Sequence, residues 1–450
     1  MRRAPFALVL LATLALAGSP AAAQPPEATP VRLSVEEAVA QALAASPRLG
    51  RLASLQAAAE AQRRGAAAER WPQVEIAAGY QRRSAVTELQ IVAPTQDPAK
   101  PLQLVTIFPS IEDNYRLRAG AALPLYTGGR LSSQVRAAEE SRLAAEHDVS
   151  AARADLVLEV KTAYWTLVTG REGARVLQET IGAFDAHLSD ARNRERFGMA
   201  ARNEVLAVQV ERDRAELNLL RAQSGADIAE ANLRRLLDLP PAARVEPSEA
   251  LSTSPRASPD VEALVAGASA ARPDRSSLAA RASAASNLAG AERGARLPQV
   301  TLTAGYSYAN PNRDIVPPAA TWRDTWDVGV SLAWSVFDGG KRSAGEARAR
   351  AQAEAARQQL LELDRAIRLE VTQRSLELRT AEATLAVAER GIESATESRR
   401  VAADRYREGV IPSSELLDAE LALERAALSR TEAMAAVRLA AAGLDRAAGR

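Results

Sequence analysis

Two stretches of 68 residues, from Gly129 to Arg196 and from Gly340 to Arg407, contain no proline. Proline breaks helix interiors, and at 1.5 Å per residue either stretch allows one helix about 100 Å long. That length is several times the radius of a compact domain. Apolar residues in both stretches recur at sevens: Val160, Leu167, Ala174 and Ile181 in the first, Val371, Leu378, Leu385 and Ile392 in the second. This is coiled-coil spacing, and it predicts two long helices with narrow packing seams.

The two stretches belong to a tandem repeat, a pattern that constrains architecture before any local reading does. Trp71-Pro72-Gln73-Val74 matches Leu297-Pro298-Gln299-Val300, and Ala78-Gly79-Tyr80 matches Ala304-Gly305-Tyr306 at the same shift. Tyr126-Thr127-Gly128-Gly129-Arg130 matches Phe337-Asp338-Gly339-Gly340-Lys341. The first unit is expected over 24–238 and the second over 260–450, with the Pro-rich segment 239–259 as a linker. Each unit opens on a short helix, where Ser34 with Glu37 forms a capping-box pattern and Asp260 is its counterpart. Helices predicted at 47–70 and 203–239, stacked end to end, nearly match the long helix. Those at 273–296 and 412–448 do the same in the second unit. The long helical hairpins then span 129–238 and 340–448.

Composition agrees with long, closely packed helices. Of 450 residues, 99 are alanine and only 17 are Phe, Trp or Tyr. Alanine forms helix well and lets helices approach, but it cannot fill a core that aromatic side chains normally dominate. Charge is balanced, 57 Lys and Arg against 56 Asp and Glu, so attraction to nucleic acid is not expected. Cysteine is absent and histidine is limited to His147 and His187. Thiolate chemistry, disulfides and most histidine-dependent catalysis lack material. No enzyme activity and no cofactor are expected.

Arg2 and Arg3, the apolar run from Ala7 to Ala17 and the Ala21-Ala22-Ala23 ending read as a secretory signal over 1–23. The run is shorter than the roughly 20 residues a spanning helix requires. No helical span is expected downstream either.

Between the helices the period switches to two. Val74, Ile76, Ala78 and Tyr80 share a face, as do Tyr115, Leu117, Ala119, Ala121, Leu123 and Leu125. Val300, Leu302, Ala304, Tyr306 and Tyr308 form a third such set; Trp326, Val328, Val330, Leu332, Trp334 and Val336 form a fourth. Four alternating segments of about ten residues match transmembrane β-strands, which run about 9–11 residues. Two hairpins are expected, 71–126 and 297–338, with 84–113 and 310–324 as outer loops. These hairpins hold 11 of the 17 aromatics. Trp71, Tyr80, Tyr126, Tyr306, Trp326, Trp334 and Phe337 are candidates for an interfacial aromatic girdle. Soluble hairpins half-buried against the helices would alternate in the same way. Four strands cannot close a barrel, and an open edge in lipid is prohibitive. The chain must therefore oligomerise, two copies supplying eight strands and three supplying twelve.

Leu33-Ser34-Val35-Glu36-Glu37-Ala38, Trp71-Pro72-Gln73-Val74, Leu125-Tyr126-Thr127-Gly128-Gly129-Arg130 and the segment Arg405-Tyr406-Arg407-Glu408-Gly409 with Glu415-Leu416-Leu417-Asp418-Ala419 occur in an order that resembles the TolC family of outer-membrane efflux proteins. The resemblance covers almost the whole mature chain. It implies a mixed α and β fold: a homotrimer with a 12-stranded transmembrane β-barrel, four strands per chain, on a coiled-coil α-helical tunnel through the periplasm. It implies outer-membrane lipid around the barrel, and a periplasmic adaptor that links the tunnel to an inner-membrane pump. The function implied is a passive exit duct for small molecules. Protein export through a type I secretion system would use the same conduit. A periplasmic coiled-coil scaffold without a pore is the competitor from another class.

At the helical tips, Gly198 and Gly409 fall where each long helix must reverse, the ordinary place for a C′ glycine. Asn203 and Ser414 are candidate N-caps of the returning helices. Glu415 and Asp418 lie in the first turn after the reversal, where acids complement the helix dipole. The resemblance implies a second role: with Tyr406, they are candidates for a periplasmic gate whose carboxylate rings would favour cations. Ile411 stands where a partner arginine for the tyrosine can occur in the family. Phe197, Gly198, Asn203, Gly409 and Ser414 are candidates for adaptor docking.

Two catalytic resemblances fail on spacing. Gly339-Gly340-Lys341-Arg342-Ser343 lacks the glycine interval of a phosphate loop, and a strand-to-helix corner explains it. Asp185, His187 and Ser189 scatter around a helix and are expected to be solvated.

Overall fold

The computed structural model describes residues 31–94, 102–252 and 260–450. The secretory signal, the tip of the first outer loop and part of the linker lie outside the described residues.

The short entry elements follow their caps. Strand β1 (Val31–Leu33) leads into α1 (Val35–Ala45). The Ser34 hydroxyl accepts from the Glu37 amide at 3.2 Å, and the Glu37 carboxylate accepts from the Ser34 amide at 2.8 Å. Helix α2 (Pro47–Ala68) starts on a proline, whose missing N–H would be unpaired there in any case. The second unit repeats this with α5 (Val261–Ala271), capped by Asp260, and α6 (Pro273–Gly294).

The proline-free stretches are single helices of 67 residues, α3 (Arg130–Arg196) and α7 (Lys341–Arg407). Each returns through a 35-residue helix, α4 (Arg202–Leu236) or α8 (Ser413–Ala447). The heptad seams are where the helices pack. Val160, Leu167, Val371 and Leu378 are buried, and Ala174 and Ile392 are partly covered.

The four alternating segments form one antiparallel sheet in the order β2 (Gln73–Arg82), β5 (Asp113–Tyr126), β7 (Gln299–Asn310) and β8 (Arg323–Ala333). The repeat boundary therefore lies inside the sheet, between β5 and β7. The register aligns Val74, Ala121, Ala304 and Val328 in one row, and Ile76, Ala119, Tyr306 and Trp326 in another. Two of the four apolar sets thus share one face as read, and so do the second up to Leu123 and the fourth up to Leu332.

Several expectations need correction. The loop 84–113 contains a second hairpin, β3 (Leu89–Pro94) with β4 (Leu102–Phe108), paired apart from the main sheet. Its β-branched runs Ile91-Val92 and Val105-Thr106-Ile107 outweigh the flanking prolines. Strand β8 ends at Ala333, so Trp334, Val336 and Phe337 leave the ladder. The Trp334 indole N–H instead donates to the Arg296 carbonyl at 3.2 Å. A register shift between Pro124 and Tyr126 skips Leu125 and sets Tyr126 opposite Val300. Proline has no amide for a ladder bond, which accounts for the bulge there. The linker is not bare: β6 (Val245–Pro247) pairs in parallel with β1, and Val245 is fully buried.

That small sheet closes a packed belt at mid-height of the helices. Val35, Ala38 and Ala42 of α1 meet Leu156, Val160, Tyr164 and Leu167 of α3 and Leu233 of α4. The Tyr164 hydroxyl donates to the Leu33 carbonyl at 3.1 Å and accepts from the Glu249 amide at 3.2 Å. Both tethers hold the entry and exit of the first unit against its long helix.

Candidate functional site

Strand order and helix order run in step. Beyond the sheet, α2, α3, α6 and α7 pack side by side in that order, each continuous in sequence with the strand above it. At the other end, α4, α3, α8 and α7 do the same. The chain is thus a wall one layer thick, and α7 does not pack along α2 or α4. Its margins are α2 and α4 with β2 on one side, and α7 with β8 on the other.

Both margins are unfinished. Among the described residues, β2 and β8 each lack a neighbour on one side in the main sheet. Leu206, Val210, Leu217 and Ile228 on α4 are about half exposed or more, as are Leu369, Leu376 and Val387 on α7. Their spacings of four, seven and eleven keep each set on one helix face, as a coiled-coil partner requires. Exposed apolar stripes of that length mark interfaces.

The sheet has two unlike faces. The apolar face carries Val74, Ile76, Leu117, Tyr306, Trp326, Val328 and Val330, all exposed, with Trp326 at 74%. By the same register the opposite face carries Glu75, Arg116, Arg118, Ser307, Arg323 and Asp327. Of the girdle candidates, Trp71, Tyr126, Trp334 and Phe337 gather where strands meet helices, and Tyr80 sits near the turn end. Tyr306 and Trp326 pair with each other inside the ladder. Tyr115, Tyr308 and Trp322, not among the girdle candidates, form an aromatic cluster of their own. Trp322 stacks on Tyr308 at 4.9 Å and reaches Tyr115 at 6.0 Å, folding the loop after β7 onto the apolar rim.

Strand-to-helix corners depend on paired glycines. Gly128, Gly129, Gly339 and Gly340 all have positive φ. A Cβ on Gly128 would meet the Leu297 side chain at 2.6 Å, so the two units close together at this corner. At the other corner the Asp338 carboxylate accepts from the Gly340 and Arg342 amides at 3.0 and 3.1 Å. The chain's own acid thus occupies the anion position that a phosphate loop would leave open.

The helical tips are built twice in the same way. Gly198 (φ 75°) and Gly409 (φ 74°) occupy the C′ positions as read. The Met199 amide donates to the Arg194 carbonyl at 2.8 Å and Gly198 to Glu195 at 2.9 Å; Val410 to Arg405 and Gly409 to Tyr406 repeat the pattern. These are Schellman caps. The capping roles of Asn203 and Ser414 are overturned. The N-caps are Ala201 and Pro412, in extended conformation, so both polar residues lie two residues too deep to cap.

Glu415 and Asp418 are exposed beside a cleft of about 540 Å³ between α7 and α8, shared with Glu397 and Arg405. Among the described residues neither carboxylate has an ion-pair partner. Tyr406 is buried instead, packed with Ile411 and Leu416. The Arg194 guanidinium lies 4.2 Å over its ring and donates to its carbonyl at 2.6 Å. Burial pushes the Tyr406 phenol above its ordinary range. The cation that Ile411 does not supply comes from α3.

The expectation of a solvated His187 also fails. His187 is 4% exposed, because α3 packs on α8 there. Its Nδ1 is 3.0 Å from the Glu420 carboxylate, and its Nε2 is 2.9 Å from the Ser413 hydroxyl. Tyr406 meets the imidazole edge-on at 5.3 Å. Asp185 pairs with Arg212 at 3.0 Å. The three components of a Ser–His–Glu relay are present, but Ser413 is 1% exposed and no substrate can reach it. The relay fastens the first unit to the second. Its partners lie 226 and 233 residues away, beyond any sequence spacing rule.

Among the described residues no helix is long and apolar enough to cross a membrane. The apolar surface lies on the sheet. Comparison with known proteins agrees with that layout. VceC from Vibrio cholerae, an outer membrane protein, superposes with a TM-score of 0.78 at 21% identity, over 92% of this chain and 96% of that one. The MtrE outer membrane channel of Neisseria gonorrhoeae in its open state gives 0.76 at 17% identity, over 92% and 88%. Protein CyaE of Bordetella pertussis is 37% identical over 122 residues, 27% of this chain, and the match spans only 26% of that relative's length. A family model described as outer membrane efflux protein matches residues 38–238 and 264–450, most of both units. The chain therefore belongs to the outer membrane efflux protein family, with its sheet in the outer membrane and its helices in the periplasm.

Proposed function

We propose that three copies of this chain close into a passive efflux duct: a 12-stranded barrel in the outer membrane on a helical tunnel. One observation carries the reading. The sheet and the helical wall are open at the same two margins, so one rotation that seats β8 on a neighbour's β2 also seats α7 on its α2 and α4. An edge strand in lipid has no other way to satisfy its backbone. A soluble scaffold would leave the apolar sheet face in water, which disfavours it.

In this duct the polar sheet face lines the lumen, and the apolar face with its aromatics meets lipid. Glu415 and Asp418 line the narrow periplasmic end as two carboxylate rings, and the buried Tyr406 holds the tips shut. The exposed tips around Phe197, Gly198, Asn203, Gly409 and Ser414 dock a periplasmic adaptor, which couples the duct to an inner-membrane pump. Phe197, 76% exposed, is the apolar anchor of that contact.

The test has two parts. Cross-linking of the outer-membrane fraction should give a species three times the chain mass, and the purified protein should form ion-conducting pores in planar bilayers. A soluble monomer would reject the duct. Replacing Glu415 and Asp418 by alanine should weaken cation selectivity and divalent-cation block; unchanged values would remove them from the gate.

A further inference from the structure

At the turn end of the sheet, three guanidinium groups converge without an acid among them. Arg83 follows β2, Arg116 lies on β5, and Arg313 lies in the loop after β7. All three border a cavity of about 220 Å³. Its floor is open because Gly79, opposite Arg116 in the register, has no side chain and nothing within reach of one. Asn114 and Gln81 supply the remaining polar wall.

The nearby carboxylates are engaged elsewhere. Glu112 pairs with Arg82 at 3.0 Å, Asp113 accepts from the Tyr80 hydroxyl at 2.8 Å, and Asp314 accepts from Thr325 at 3.2 Å. None of these acids lines the cavity. Arg313 directs its Nε and Nη2 onto the single Asn114 Oδ1 at 3.1 and 2.8 Å, which orients the guanidinium and leaves its Nη1 uncommitted. Among the described residues the Arg83 side chain has only the Gln81 amide oxygen, at 3.3 Å, and Arg116 has no carboxylate partner. Burial, then the charges of Arg83 and Arg116, hold the Arg313 guanidinium below its ordinary pKa. The cavity thus gathers three positive charges on one wall with no acid among its lining residues.

We propose that Arg83, Arg116 and Arg313 form a binding site for a small multivalent oxyanion of the phosphate or pyrophosphate class. Guanidinium forks suit the oxygen geometry of such anions, and the cavity has room for one or two phosphate units. The site lies on the polar face. Its place inside the duct rests on the pore reading above, where each chain brings one such site to the outer mouth. The mouth would then attract anions while the periplasmic end, lined by Glu415 and Asp418, attracts cations. The oxyanion could also be a lipid phosphate, and the test separates the two sources.

Pyrophosphate is titrated into the full-length protein in dodecyl maltoside and followed by phosphorus NMR line width, which does not depend on conduction. Saturable broadening is expected, and Arg83→Gln/Arg116→Gln/Arg313→Gln should weaken it at least tenfold. Because strand variants can hinder assembly, Arg313→Gln alone, in the loop, is the second variant and should weaken binding severalfold. No saturable broadening with the parent protein, or equal broadening with both variants, overturns the site. In bilayers, pyrophosphate should reduce the current when added on the barrel side. Reduction only from the helical side overturns the placement at the outer mouth. Loss of the barrel-side effect when that leaflet contains lipopolysaccharide assigns the site to lipid phosphate; its persistence assigns it to the free anion. If the parent protein forms no channels at all, the pore reading fails while the NMR result still decides the site.

Discussion

The imidazole Nδ1 of His187 lies 3.0 Å from the carboxylate of Glu420, and both side chains are almost fully buried between α3 and α8. This contact joins the two units near the tips. One ring nitrogen faces the Glu420 carboxylate and the other the Ser413 hydroxyl, so the imidazole gives both buried groups a hydrogen-bonding partner. Replacing His187 by alanine strands a buried carboxylate and a buried hydroxyl, a loss of about 3–5 kcal/mol in comparable buried pairs. The apparent melting temperature should drop by several degrees. Combining His187→Ala with Glu420→Ala should recover part of that loss, with a coupling above about 1 kcal/mol. Additive losses would show that the contact carries no energy.

Gly198 and Gly409 are each held at positive φ by two backbone hydrogen bonds of a Schellman cap. Neither has a neighbour within reach of an added Cβ. Only the backbone conformation opposes a side chain, so Gly→Ala should cost about 1–2 kcal/mol at either site and Gly→Asn less. Limited proteolysis at Arg196 and Arg407 reads the loosened tip. Equal cleavage of parent and alanine variants would mean that the tips tolerate another turn.

What was legible in the sequence was periodic or local. The seam from Val160 to Ile181 and the alternation from Val300 to Tyr308 repeat often enough to survive noise, and tandem copies show them twice. Gly198 and Gly409 were legible because a reversal needs positive φ. What escaped depends on contacts between distant segments. Asn203 and Ser414 have the right chemistry for caps, but Ala201 and Pro412 start the helices two residues earlier. His187 and Arg194 look like solvated residues on a polar helix. Only the packing of α3 on α8 buries the first, and only the meeting of the two tips lets the second reach Tyr406 of α7. Trp322 sits in a proline-rich loop, and no spacing connects it to Tyr308.

The two faces of β8 differ in what they tolerate. Val328 lies on the apolar face in the row of Val74, Ala121 and Ala304, while Ser331 lies on the polar face opposite Thr301. An arginine on the lipid face of a transmembrane barrel costs about 2–4 kcal/mol near the midplane, and lumen positions are far more tolerant. Val328→Arg should therefore reduce the heat-modifiable oligomer in the outer membrane several-fold, and Ser331→Arg should leave its yield close to normal. The reverse order would mean that the faces are assigned the wrong way round, and equal yields that neither face meets lipid.

The last relationship concerns acid stability. The Arg272 guanidinium, 5% exposed, ties the α5–α6 junction to Asp274 at 2.6 Å, to Glu370 of α7 at 2.5 Å and to the Ala447 carbonyl at the end of α8 at 3.3 Å. Burial opposes ionisation of Asp274, but hydrogen bonds and charge from Arg272 outweigh it and hold the carboxyl below its ordinary range. A carboxyl with a depressed folded pKa contributes stability that is complete above its unfolded value, near pH 4. That contribution disappears as pH falls through the folded value. Thermal melts should therefore lose stability below about pH 4, and Asp274→Asn should flatten that part of the profile while lowering stability at neutral pH. Arg272→Gln should lower it further, because two carboxylates lose their shared cation. A profile for Asp274→Asn parallel to the parent's down to pH 3 would remove this pair as a source of acid sensitivity.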